Sequence, residues 1–405
     1  MADWIEKTLG EVTSFIAKGI PPKYTEEASK DTICVLNQKC NRNYEISYSE
    51  SRIHDCAQKK VPADKMLKVG DVLINSTGTG TAGRVAQMME VTAPTTIDGH
   101  MILLRPSEEL DPIYYGYALK SQQFQIEGLA EGSTGQTEIN RRRLQDEVII
   151  CYPSDKSIQK NIGNFLANID GKIKTNTAIN ENLLQQVQAL YRSWFVNYGP
   201  FGGTKPADWI NGSIDDLGSE IICGKTPSTK KTEYYGGSTP FITIPDMHGC
   251  VYTVSTERYL SAAGVASQSK KTIPRNSVCV SCIGTAGLVT LVSEESQTNQ
   301  QINSIVPKEG VSTYYTYLLM QTLSESVNKL GQSGSTIVNL NKTQFGKIPV
   351  IIPSKHVSQE FDTLCRPLFE KILLNQKENI KLSALRNTLL PKLMSGELDV
   401  SDLDI

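Results

Sequence analysis

With 405 residues, the chain is longer than one hydrophobic core usually supports, so two domains or a repeated architecture is the starting expectation. A net charge of −2 counts against a nucleic-acid binder that relies on its own basic surplus, though not against one that shares phosphate contacts with a partner. No apolar run approaches the roughly 18 residues of a membrane span, Met1 to Leu9 carries no apolar leader core, and nine scattered cysteines are not a secreted disulfide framework. The expectation is a soluble, unprocessed, cytoplasmic chain with reduced thiols.

The first 152 residues read as a mixed region of short strands, turns and a short helix. The β-branched, strand-like run Val69 to Ile74 is followed by a turn, Gly78 to Gly83, and a tyrosine-rich segment holds Tyr114, Tyr115 and Tyr117. Gly78, Gly80 and Gly83 satisfy GxGxxG, with Asp98 about 20 residues on, where a dinucleotide site places its ribose-binding acid. Arg84 to Thr92 does not read as a capped helix, so the phosphate-binding helix N-terminus is missing and a tight turn is the better reading. Arg141, Arg142 and Arg143 form a basic cluster, which is more often a solvated face than a site. After Pro153 the apolar spacing changes to alternating threes and fours through Ile158, Ile162, Phe165, Ile169, Ile173, Asn176, Asn180, Leu183, Val187, Leu190 and Trp194. That is a long amphipathic helix with a coiled-coil seam.

The chain is then written a second time. Asp3, Trp4 and Ile5 recur as Asp208, Trp209 and Ile210, and Gly19 and Pro22 as Gly224 and Pro227. Gly80 to Gly83 recurs as Gly284 to Gly287 after the strand-like run Val278 to Ile283, the three tyrosines as Tyr314, Tyr315 and Tyr317, and Pro153-Ser154 as Pro353-Ser354. In that run Cys282 replaces the first glycine of the turn, a further mark against a dinucleotide site, and Cys279 with Cys282 is a lone CxxC that reads as buried strand cysteines rather than zinc ligands. Lys230-Lys231 and Lys270-Lys271 are further basic pairs. Adding 199 to the first seam gives Val357, Phe361, Leu364, Leu368, Ile372, Asn375, Asn379, Leu382, Arg386, Leu389 and Leu393, in which only Arg386 breaks the apolar match. Pro367 and Pro391 have no counterparts in the first helix and predict a local kink or interruption. Asparagines on both seams, Asn176 and Asn180 with Asn375 and Asn379, predict pairing of the two helices in a fixed register, with Leu183, Leu190, Leu382 and Leu389 beside them.

Motifs for catalysis are missing: there is no phosphate-binding GxxxxGK[ST], no HExxH, no Asn-Pro-Pro-Tyr or Asp-Pro-Pro-Tyr of a DNA methyltransferase, and the four histidines are far apart. A duplicated mixed domain, each copy followed by a long helix with a matching seam, resembles the specificity subunits of Type I restriction and modification systems over nearly the whole chain. Leu389 to Leu398 looks like the end of that family's last helix, and Gly224, Thr226, Pro227 and Ser228 with Tyr234, Tyr235 and the strand Pro240 to Ile244 fit its second domain. The first copy departs, with Ile20 and Pro21 where Lys225 and Thr226 stand.

The resemblance implies an α+β fold: target recognition domains at 1–152 and 199–353, a spacer helix at 153–198 and a second with a tail at 354–405, the helices pairing as an antiparallel coiled coil with pseudo-twofold symmetry. It further implies a non-catalytic subunit that reads a bipartite, asymmetric site in double-stranded DNA. Two methyltransferase subunits and motor-nuclease subunits would bring S-adenosylmethionine, ATP and Mg, with no cofactor or metal on this chain. The alternatives are a specificity subunit of another restriction class and a coiled-coil scaffold without DNA. Polar loop residues are the candidate base readers, namely Arg84, Arg141, Arg142, Asn299, Gln300, Gln301, Asn339 and Asn341, with Lys23, Lys225, Lys230 and Lys231 on phosphates. The apolar flanks around Trp194 and Leu393 are candidates for partner docking, with core packing as the competing explanation.

Overall fold

The computed structural model describes residues 3–132, 137–331 and 339–398. Its contacts divide into two units, Met1–Gly171 with Leu382–Ile405 and Lys172–Lys381, so each long helix contributes to both. Among the described residues no helix is long and apolar enough to cross a membrane.

In the first unit an antiparallel sheet runs in the order Thr13–Lys18, Met101–Pro106, Val72–Asn75, Val85–Gln87. Val72–Asn75 is buried along its whole length, as a short continuous apolar run predicts for a strand covered on both faces. A smaller sheet pairs Thr95–Ile97 parallel to Thr32–Leu36, with Arg52–Asp55 and Tyr24–Thr25 beyond. The helix Pro112–Ser121 starts where the Asp111 side chain accepts from the backbone N–H groups of Ile113 and Tyr114 and proline occupies the first turn. Its three tyrosines are buried, and each hydroxyl is satisfied: Tyr114 by the Cys151 carbonyl at 2.8 Å, Tyr115 by Thr13 Oγ1 at 2.7 Å and Tyr117 by Asp170 at 2.7 Å.

The second unit repeats this plan. Its larger sheet runs Gly218–Cys223, Ile302–Pro307, Val278–Ser281, Val289–Val292, Tyr252–Thr253, and in its smaller sheet Tyr235–Ile242 pairs parallel with Ser296–Thr298. The helix Thr313–Thr322 buries Tyr314, Tyr315 and Tyr317, and the Tyr314 ring stacks on Phe369 at 4.4 Å. Trp194, placed by the sequence on a docking flank, is instead buried with Phe195, Trp209 and Phe361 in this core, and Leu393 is buried in the core of the first unit. Both side chains are enclosed by their own unit.

The first long helix spans Lys156–Tyr191 and the second Lys355–Met394. Of the kink or interruption expected at Pro367 and Pro391, no interruption occurs: the second helix continues through both. A proline removes one helical hydrogen bond, and here the face alongside holds Phe361, Cys365, Phe369 and Ile372 in one core, with Leu390 and Leu393 in the other. The seam also needs correction at the helix starts. Leu364 is 45% exposed while Cys365 is buried, and in the first helix Leu166 is buried where Phe165 is only partly so. These opening turns pack on the recognition domain, which selects a different face from the one turned to a helix.

Within the second unit the seam asparagines form a locally symmetric antiparallel pair. Asn176 Nδ2 donates to Asn379 Oδ1 at 2.9 Å, and Asn375 Nδ2 to Asn180 Oδ1 at 2.9 Å. Asn180 and Asn379 reach across to the carbonyls of Ile372 and Ile173 at 3.5 and 3.4 Å. Leu183 and Leu190 pack against the core of this unit and Leu389 against that of the first, while Leu382 is half-buried at the start of the segment belonging to the first unit.

Within the first unit Arg386 is paired rather than misplaced. Its guanidinium lies 2.5 Å from Asp170, which also accepts from Lys120 at 2.9 Å and from Tyr117. The Lys120, Asp170 and Arg386 side chains are 9%, 27% and 15% exposed. Burial pushes the Lys120 ammonium below its usual pKa against the pull of Asp170. For Asp170, burial works to raise the pKa, but Lys120, Arg386 and Tyr117 together hold it below the ordinary carboxylate value.

Candidate nucleic-acid interface

The same glycine opens the edge of the smaller sheet in both units. A Cβ on Gly19 would stand 2.1 Å from the Asp98 carbonyl oxygen, and one on Gly224 2.2 Å from that of Asn299. Only glycine lets the following segment lie this close to the strand. Gly224→Ala is therefore expected to destabilise the second unit by at least ~2 kcal/mol, as overpacking against backbone does; an unshifted thermal midpoint would contradict this.

Beyond Gly224 the segment lies along the strand end. Lys225 N donates to the Thr298 carbonyl at 2.9 Å, Thr226 Oγ1 to Gln300 Oε1 at 2.7 Å, and Gln268 Nε2 to the Lys225 carbonyl at 2.7 Å. Asn299 Nδ2 donates to Gln301 Oε1 at 2.9 Å, Cys282 N to the Gln301 carbonyl at 2.8 Å, and Asn339 bridges Ile283 beside the Gly284 turn. Lys225, Asn299, Gln300, Gln301 and Asn339 thus come together on one polar edge. Asn299 is buried with its amide engaged by Gln301, so it orients that neighbour rather than facing solvent. Lys225, Lys230, Lys231 and Lys270 are exposed, Lys271 is half-buried, and Gln268 joins the two loops that carry them. Lys231 lies 3.1 Å from the Tyr234 hydroxyl, a hydrogen bond that raises its pKa.

In the first unit Lys23 is exposed beside His54: Lys23 N donates to His54 Nδ1 at 2.8 Å, and His54 Nε2 lies 2.7 Å from the carbonyl of Lys59, itself exposed next to Lys60. Arg84 is half-buried and donates to the Gly80 carbonyl at 3.0 Å, bracing the glycine turn. That turn holds Gly78, Gly80 and Gly83 at positive φ and leads into the strand Val85–Gln87, with no helix N-terminus for a pyrophosphate. Three candidate readers expected on loops lie at helix starts. Arg141 and Arg142 open the helix Arg141–Glu147, where Arg142 faces Asp146 at 3.6 Å, and Asn341 caps Lys342–Gly346 by accepting from Gln344 N at 2.9 Å. A polar residue before an apolar turn is as good a helix cap as a base reader.

Sequence reasoning missed the equivalent edge of the first unit. Shifting Asn299, Gln300 and Gln301 back by 201 gives Asp98, Gly99 and His100. His100 Nδ1 lies 2.8 Å from Thr77 Oγ1, Thr77 bridges Glu138 as Ile283 bridges Asn339, and Glu138 pairs with Lys18. Asp98 is buried and accepts from His100 N at 2.9 Å; burial pushes its carboxyl up. The repeat offset was the available signal.

Cys279 and Cys282 are buried, and burial pushes both thiols up to about 12. Among the described residues no cluster of His, Cys, Asp or Glu is arranged to hold a metal.

Two units of this plan, each with a polar edge on its smaller sheet and a share of both helices, define a class of protein. Residues 1–185 and 206–384 match the Type I restriction modification DNA specificity domain, and the chain belongs to that family as a specificity subunit. It is 29% identical to the Type I restriction enzyme HindI specificity subunit of Haemophilus influenzae, over 98% of this chain and all of that one. It is 24% identical to the MjaIX specificity subunit of Methanocaldococcus jannaschii, over 99% of this chain and 95% of that one. In fold it is similar to the crystal structure of a Type I system S subunit from M. genitalium, with TM-score 0.62 and 17% identity over 97% of this chain and 96% of that one.

Proposed function

We propose that this chain reads an asymmetric, two-part DNA target, one part with each unit, and supplies the address for adenine methylation or cleavage by partner subunits. The observation that carries this reading is that equivalent positions of the two edges differ in chemistry. One edge presents Thr77, Glu138 and His100, and the other Ile283, Asn339 and Gln301. Base edges are distinguished by their donor and acceptor patterns, so two such edges read two different half-sites, while lysines around them meet phosphates that carry no sequence. Lys225, Lys230 and Lys231 serve the second half-site and Lys23 the first; Gln300, which is exposed, and Gln301, which is half-buried, are the readers.

In this reading the chain performs no chemistry and binds no cofactor. Two methyltransferase subunits bring S-adenosylmethionine, motor-nuclease subunits bring ATP and Mg, and the assembly works in the cytoplasm. The test is methylation mapping. The purified chain with S-adenosylmethionine should transfer no methyl group, whereas the assembled complex should mark adenines in a bipartite site. Exchanging Met1 to Cys151 for the same region of a related subunit should change one half of that site and leave the other. Methyl transfer by the chain alone, or loss of both halves in a folded hybrid, would overturn the proposal.

A further inference from the structure

The internal duplication creates a pairing problem that the seam asparagines do not solve. Adding 199 converts Asn176 and Asn180 into Asn375 and Asn379, so a first helix paired with another first helix would align Asn176 with Asn180 just as the native pair aligns Asn176 with Asn379. The same holds for two second helices. The bonds between asparagines fix register and accept a like partner as readily as an unlike one; Glu378, which also accepts from Asn176 Nδ2 at 2.8 Å and stands where Ile179 does in the first helix, adds an asymmetry that solvent screens at its half-exposed position.

A neighbouring layer does discriminate. In the first unit it consists of Asp170 from the first helix, Arg386 from the second and Lys120 from the recognition domain, with the Tyr117 hydroxyl donating to Asp170. Shifting by the repeat, the corresponding residues of the second unit are Phe369, Val187 and Met320, all fully buried in one core, with Tyr317 edge-on to Phe369. One layer is ionic and its equivalent apolar. We infer that this difference is a pairing code: it makes the N-terminal half of the chain the preferred partner of the C-terminal half and rejects pairing of like halves from two copies of the chain.

The physical basis is the cost of a buried unpaired charge. If two C-terminal halves paired, Arg386 of each would enter a pocket of Phe369, Met320 and Tyr317 with no carboxylate, and a guanidinium does not shed its proton. If two N-terminal halves paired, Asp170 would keep Lys120 but face a second Val187 in place of Arg386. Every exchange that forms like pairs therefore buries unpaired arginine twice, whereas native pairing matches carboxylate with guanidinium and valine with phenylalanine. This is specificity by a penalty on the wrong partner, and it stands whether or not the reading of the two polar edges holds.

The test uses the full chain, folded and then cut. A cleavage site for a sequence-specific protease is inserted between Gly202 and Gly203, in the exposed stretch between the two halves. After cleavage the protein is passed through mild denaturant, returned to buffer, and its pairs are weighed by native mass spectrometry. Random re-pairing gives like, unlike and like pairs as 1:2:1. The native sequence should hold like pairs at least about tenfold below that ratio, as a buried unpaired charge requires. Lys120→Met with Asp170→Phe and Arg386→Val makes both layers apolar and should move the mixture toward 1:2:1 without loss of stability. Adding Met320→Lys, Phe369→Asp and Val187→Arg to that variant exchanges the two layers and should restore unlike pairing. A statistical mixture from the native sequence, or unlike pairing undiminished in the all-apolar variant, would overturn the code.

Discussion

Asp170→Ala is expected to cost the first unit about 3–5 kcal/mol, the penalty of breaking a buried ion pair by removing one partner. Against the ~5–15 kcal/mol that typically holds a folded domain, that is enough to bring the unit near its unfolding threshold. The loss exceeds that of a surface pair because Lys120 and Arg386 both stay behind in the site, and Tyr117 loses its acceptor. The pH dependence has a definite sign. Lys120 already has a lowered pKa from burial, so the unfolded state binds more protons than the folded one between the folded value and the ordinary 10.5, and stability rises with pH across that window. Removing Asp170 lowers Lys120 further, so the defect should shrink as pH rises into that window, while the Arg386 share persists. In the native protein the depressed Asp170 pKa gives stability that is present above the ordinary carboxylate value and lost as pH falls through the lower folded one; the variant should lack this acid limb. Urea titrations of both proteins across pH measure it, and a loss below about 1 kcal/mol, the scale of an exposed pair, would show the cluster to be solvated.

The duplication and the two long helices were legible because they are periodic. An apolar residue every three or four positions, and the same residues again 199 further on, need no tertiary information. Arg386 stood out from the same pattern as a lone break. Its explanation was out of reach, because Asp170 lies one residue off the seam and Lys120 about 50 residues earlier, and only the folded unit brings the three together. The seam failed at Leu364 for a related reason. Periodicity finds an apolar face but does not say whether a helix or a recognition domain covers it, and Cys365 and Leu364 are both plausible members of a stripe.

Polarity located the edge of the second unit, since Lys225, Asn299, Gln300, Gln301 and Asn339 do converge. It failed where a polar side chain had a local backbone task, as at Asn341, or opened a helix, as at Arg141 and Arg142. The first unit's edge stayed hidden because its chemistry differs: Gly99 has no side chain, and Asp98 sits where Asn299 does. That divergence between copies of one scaffold is what two unlike half-sites would require.

Replacing Lys225, Lys230, Lys231, Lys270 and Lys271 together by glutamine should weaken DNA binding by the assembled complex strongly and without regard to sequence. All five belong to two loops joined at Gln268, and four are exposed, so the change should leave the fold intact. Each phosphate neutralised on duplex DNA contributes about −0.9 to the slope of log affinity against log salt. If all five meet phosphates, the slope becomes shallower by about 4.5, which between about 50 and 200 mM salt amounts to a difference of roughly 500-fold in how far the two proteins weaken. The preferred target should survive in the methylation map, because phosphate contacts carry no base information. Gln300→Ala and Gln301→Ala should do the reverse, leaving the salt slope alone and relaxing the choice of base by about 1–3 kcal/mol at one position of one half-site. A quintuple variant with an unchanged slope would place the DNA on another face of this unit. Glutamine variants that altered the target while alanine variants at 300 and 301 did not would exchange the roles assigned to the lysines and the amides.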